Sequence, residues 1–221
     1  PDKAVMTLTR QEKEKRKMKK VITLTIAALI SLTLLGNSDT KPKSKFSYNG
    51  YSGGMMLHAG YIFAPGVPEL GNYAVSALTT GIGGAIRINF GEHFRFGTEG
   101  YSSSANILGN GSYVHSGWGG LLVDVPFTFN KWTVFAGLTA GGGGFKGVYL
   151  LEGNAYDWND EIRTVYRKAG YGMVAPFAGI EYSLTKVINV ILKFDYMIPF
   201  GKDSFGIPTG PRAYIGFMFN R

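Results

Sequence analysis

Eight charged residues sit at alternate positions within otherwise apolar runs: Arg87, Arg95, Lys193 and Arg212, and against them Glu99, Asp124, Glu181 and Asp195. The set is balanced, four of each sign, and Gly60, Gly83, Gly97, Gly120, Gly137 and Gly179 share its side of the alternation. A water-facing surface would carry many Lys, Glu, Ser and Thr and would have little need of glycine. Balanced charges among small residues suit a crowded polar interior, where pairing offsets the desolvation that a lone charge would suffer. This set is therefore expected to be an interior charge network.

Other residues carry weaker chemical signals. His58 falls on the inward side of the first apolar run and would join the polar network, whereas His93 falls in a tight turn and would be solvated. His115 precedes Ser116, but adjacent residues of a strand point to opposite faces, so the imidazole is not placed to activate that hydroxyl as a base must. The run Asp157, Trp158, Asn159, Asp160 and Glu161 offers hard oxygen ligands for Ca²⁺, yet it lacks the Gly and the spacing of an EF-hand and reads as a solvated acidic loop. Gly141 to Gly144 are not followed by Lys-Ser/Thr and a helix, so they form no phosphate loop; they would relieve crowding where a strand bends near a rim. No catalytic residue, metal ligand or cofactor is assigned.

The elements that must position these residues are strands. From about residue 45 onward the apolar pattern has period two in eight segments. In the clearest, Ile188, Val190, Leu192, Phe194 and Tyr196 point one way and Asn189, Ile191, Lys193 and Asp195 the other. Ile82 to Phe90 and Arg212 to Phe219 alternate likewise, and further strands are expected around 46–63, 94–103, 114–127, 132–147 and 169–183. Short turns fall at Gly91-Glu92-His93, near Phe129-Asn130-Lys131 and at Leu184-Thr185-Lys186; longer loops fall at 64–76, 104–113, 148–168 and 199–210. Short turns at one end and long loops at the other are the layout of an outer-membrane barrel. The expected fold is all-β, an eight-stranded antiparallel up-and-down transmembrane β-barrel over residues 45–221.

Charge and composition agree with export. Residues 1–20 hold eight Lys/Arg against three Asp/Glu, while 37–221 hold fifteen against twelve, so the net +8 is concentrated ahead of the fold. With no basic stripe on the folded part, nucleic acid is not an expected partner. Lys19 and Lys20 precede an apolar run from Val21 to Leu35, about 15 residues against the roughly 20 of a spanning helix. Residues 18–38 read as a signal peptide cleaved after Ser38, and 1–17 as an upstream extension. The absence of Cys removes disulfides, thiolate metal sites and a lipid-anchored N-terminus.

Alternation alone leaves two barrels open, a membrane barrel with its apolar face outward and a soluble carrier with that face inward. The balanced charges favour the first. Phe90, Phe94, Phe127, Trp132, Tyr182 and Phe219 lie near the short turns and would form one interfacial girdle; Tyr61, Tyr149, Tyr171 and Tyr196 would supply the second.

Over residues 45–221 the chain resembles the small outer-membrane barrels of the OmpA/OmpX-like class. Its final strand, AYIGFMF, is similar to that class's C-terminal assembly signal, although Phe219 is followed here by Asn220 and Arg221. The resemblance implies residence in a Gram-negative-type outer membrane after periplasmic transit, insertion by the outer-membrane assembly machinery, and contact with outer-membrane lipid and lipopolysaccharide.

The function expected is structural or surface-interacting, with a host or surface ligand met by the longest loop, in which Tyr156, Trp158 and Tyr166 are exposed aromatic candidates. Three alternatives stand beside it. They are a small pore, which eight strands and eight inward charges would obstruct; a lipid-modifying enzyme, since small lipid A deacylases and palmitoyltransferases resemble this chain in carrying a His and a Ser at the rim; and a soluble lipocalin-like carrier.

Overall fold

The computed structural model describes residues 47–64, 75–107, 111–152, 163–201 and 206–221. The segments read above as an upstream extension and a signal peptide lie outside the described residues. The strands are β1 (Tyr48–Ala64), β2 (Val75–Phe90), β3 (Phe94–Ile107), β4 (Ser112–Phe129), β5 (Trp132–Glu152), β6 (Arg163–Ser183), β7 (Ile188–Tyr196), β8 (Ile198–Phe200) and β9 (Pro211–Asn220). Every pairing is antiparallel; neighbours pair in order from β1 to β7, β7 pairs with β9, and β9 pairs with β1 to close the ring. The short β8 continues β7: Phe177 opposes Asp195 and Val174 opposes Ile198, which is a single register on β6 interrupted at Met197. The ring thus has eight positions and is an up-and-down antiparallel barrel without a free edge.

Local chemistry explains the tight ends. Gly91 opens the β2–β3 turn at φ 58°, and Asn130 begins the two-residue β4–β5 turn at φ 54°, a region that both residue types enter readily. In the β6–β7 turn the Thr185 hydroxyl oxygen accepts the backbone N–H groups of Val187 (3.2 Å) and Ile188 (3.0 Å).

The strands run further at the opposite end than the sequence suggests. Residues 104–107, 112–113, 148–152 and 163–168, read as loop, belong to β3, β4, β5 and β6. Outward positions there include Ser104, Asn106, Tyr113, Tyr166 and Lys168, polar or amphipathic side chains, so the hydropathy contrast fades while the ladder hydrogen bonds continue. Tyr166 is therefore no loop residue: it lies on β6 opposite Val148, 57% exposed.

Which side is apolar is settled by burial. Leu78, Met55 and Ile215 are 68%, 65% and 59% exposed on the outer wall, whereas Arg87, Asp124 and Lys193 inside are fully buried. A water-soluble barrel has the opposite arrangement, and a lipid-spanning one this arrangement. Phe90, Phe94, Phe127, Trp132, Tyr182 and Phe219 face outward beside the short turns, as do Tyr61 and Tyr196 further up. Tyr149 and Tyr171 do not join a second girdle, because their odd positions in β5 and β6 turn them inward and leave them buried.

Candidate functional site

Inside the barrel, the ends of the strands near the short turns bring four charges together. Arg95 Nε donates to Asp124 Oδ1 at 2.5 Å and its Nη1 to Glu181 Oε1 at 3.0 Å; Arg87 Nη1 donates to the same Glu181 oxygen at 2.6 Å, with its Nε 3.4 Å from Asp124 Oδ2. These residues come from β2, β3, β4 and β6, so the cluster ties half of the ring across its centre. Asn189 of β7 donates to the other Glu181 oxygen at 3.3 Å.

Two smaller groups sit above it. Lys193 Nζ of β7 donates to Glu99 Oε2 of β3 at 2.5 Å, and the Thr139 hydroxyl donates to Glu99 Oε1 at 2.5 Å. Arg212 binds Asp195 with two nitrogens, Nε at 2.8 Å and Nη2 at 3.1 Å, and the Tyr214 hydroxyl donates to Asp195 Oδ2 at 2.8 Å. All eight charged residues named from the sequence thus lie in the interior, each beside an opposite charge.

The interior is less polar than the charge pattern suggests, because aromatic rings fill the space between the ion pairs. Phe135 lies beneath both Arg87 (4.9 Å) and Arg95 (5.0 Å), Lys193 lies over Phe177 (4.6 Å) and Tyr214 (4.8 Å), and Arg212 lies over Trp118 (4.5 Å). Rings in these positions supply cation–π attraction where water is excluded. Their signal was present in the sequence as parity: Tyr101 stands two residues after Glu99, and Tyr214 two after Arg212. A void lined by Ile62, Thr79, Ser103, Val114, Ser116, Phe145 and Pro208 measures about 20 Å³, room for about one water.

The histidines diverge from the sequence reading in part. His58 is inward and buried but joins no hydrogen bond among the described residues; its ring packs against Tyr214 (5.0 Å) and Tyr101 (5.7 Å). His93 is exposed in its turn. His115 lies on the outer wall, its Nδ1 2.9 Å from Ser104 Oγ and its Nε2 3.4 Å from Ser102 Oγ, two hydroxyls of β3 that the sequence reading missed; Ser116 turns inward to the void.

The Gly141–Gly144 run lies within β5, paired without a break on both sides. Gly141 and Gly143 are where glycine is needed: a Cβ at Gly141 would collide with the Gly119 carbonyl oxygen, and one at Gly143 would stand 2.5 Å from the Gly117 carbonyl oxygen and 2.7 Å from the Tyr171 ring. Tyr156 and Trp158, and the acidic run 157–161, lie outside the described residues.

No family model matches the chain, and no curated protein matches it. Among solved structures it is similar to Neisserial surface protein A, at 11% identity and a TM-score of 0.50, covering 78% of this chain and 98% of that one. It is also similar to the attachment invasion locus protein Ail of Yersinia pestis (13% identity, TM-score 0.45, 78% and 99% covered) and to the outer membrane protein OprG of Pseudomonas aeruginosa (11%, 0.45, 81% and 99%). At such identity the likeness is one of fold, and the fold is that of the small outer-membrane β-barrels.

Proposed function

We propose that this chain resides in the outer membrane of a Gram-negative-type bacterium as a structural and surface-contact protein, without catalytic activity and without a wide pore. The observation that carries the reading is the combination of an apolar outer wall with an interior filled by ion pairs and aromatic rings. Such an interior supports strand-to-strand rigidity and leaves no through-going channel. Contact with other surfaces then falls to the long connections opposite the short turns, including the segment that carries Tyr156 and Trp158, with Tyr166 exposed on β6 below it.

The lipid-modifying alternative finds less support. His115 has hydroxyl neighbours but no carboxylate at hydrogen-bond distance among the described residues, and an acyl-transfer base is ordinarily oriented by a third group.

Fractionation with topology mapping tests the reading. The protein should pellet with outer membranes, and an epitope tag placed between residues 154 and 160 should be labelled on intact cells. A tag at Lys186 should be labelled only after permeabilisation. Release by osmotic shock, or the opposite labelling pattern, overturns it.

A further inference from the structure

On the outer wall the register aligns Ser104 with His115, His115 with Lys146, and Lys146 with Lys168, one exposed polar row across β3 to β6. Neither lysine has a carboxylate partner among the described residues. The carboxylates whose side chains are described are Glu92, in a turn at the other end, and four inside the barrel. Lys146 instead lies 5.7 Å from the centre of the Tyr166 ring.

The height of the row can be reckoned from the strand. At about 3.3 Å per residue and a tilt of about 40°, the run from Trp132 to Lys146 climbs roughly 35 Å, past the top of an apolar band about 25 Å tall. The same holds for Lys168 above Ser183 on β6 and His115 above Phe129 on β4. The cations therefore stand at the headgroup level of the outer leaflet, beside the exposed rings of Tyr113 and Tyr166. Beneath them the wall is built of small residues: the next outward row pairs Ser102, Gly117, Gly144 and Gly170, and the one below pairs Gly100, Gly119, Gly142 and Gly172, the last lying under the Phe200 ring. A Cβ at Gly144 would meet nothing within 4 Å, so this stretch is open to whatever lies against the barrel.

We propose that His115, Lys146 and Lys168, with the hydroxyls of Ser102 and Ser104, hold the phosphorylated headgroup of an outer-leaflet glycolipid, the glycines beneath them leaving room for it against the barrel wall. The proposal rests on the outer-membrane reading above and deepens it. Charge complementarity selects the occupant: cations without a carboxylate partner among the described residues, together with hydroxyl donors at headgroup depth, suit a phosphate, and the flat wall below leaves room for the headgroup.

The test uses the full-length mature barrel refolded in dodecyl maltoside, titrated with bisphosphorylated lipid A, with its dephosphorylated form and with inorganic phosphate. The bisphosphorylated lipid should bind most tightly, and the double variant Lys146→Gln/Lys168→Gln should lose about ten- to thirtyfold in affinity while keeping its heat-modifiable mobility. Equal binding by the double variant, or equal competition by inorganic phosphate, overturns the proposal. Self-association that persists in the double variant and is lost in Gly144→Leu, with lipid affinity unchanged, overturns it in favour of a second copy of the barrel. Because binding is measured on purified protein, its failure is separate from a failure of fractionation.

Discussion

Lys193 of β7 and Glu99 of β3 meet across the barrel, Nζ to Oε2 at 2.5 Å, with both side chains sealed from solvent. The two residues are 94 positions apart in sequence, and their meeting shows that the ring is closed over a filled centre. Removing one member leaves the other charged and unpaired, which typically costs about 3–5 kcal/mol. Lys193→Met should lower stability by that order in urea unfolding from lipid vesicles, whereas Lys186→Met, in an exposed turn, should stay within about 0.5 kcal/mol. Equal small effects would overturn the pairing.

The neighbouring position gives the complementary result. Leu192 precedes Lys193 on β7 and faces outward. Leu192→Arg places a charge against lipid, which costs about 2–4 kcal/mol near the midplane. The same vesicle unfolding experiment reads it, and a neutral outcome would mean that this wall does not face lipid.

Adjacent glycines of β5 should behave oppositely. Gly143→Val drives a Cβ into the Tyr171 ring and the Gly117 carbonyl, so it should destabilise by about 1–3 kcal/mol. Gly144→Val points into open space and should fold as the parent does. Heat-modifiable mobility and unfolding midpoints separate the two.

Conductance tests the filled interior. In planar bilayers the parent protein should show no large, stable openings, because Trp118, Tyr101 and Tyr214 pack on one another around Lys193 and Arg212. The variant Trp118→Ala/Tyr101→Ala should raise conductance. Large openings of the parent would overturn the packed interior.

The sequence by itself determined the strand count, the end at which turns are short, and the inward side of the strands that alternate most strictly, because a two-residue alternation between lipid and a crowded interior is written directly in residue types. Ile188–Tyr196 and Ile82–Phe90 were readable for that reason. It also marked the eight charges as one set, since charge at apolar-run spacing has nowhere to go but inward. Only the tertiary structure decided who pairs with whom: Arg87 reaches Glu181 on β6 because ring closure and strand stagger bring β2 and β6 face to face, a relation no local pattern carries. It likewise decided that Tyr149 and Tyr171 face inward and that β5 and β6 run past the expected loop boundaries. Above the lipid the outer face meets water, the contrast between the two sides fades, and the strands persist on backbone hydrogen bonds, which leave no trace in hydropathy, and on inward side chains such as Ile107 and Tyr149.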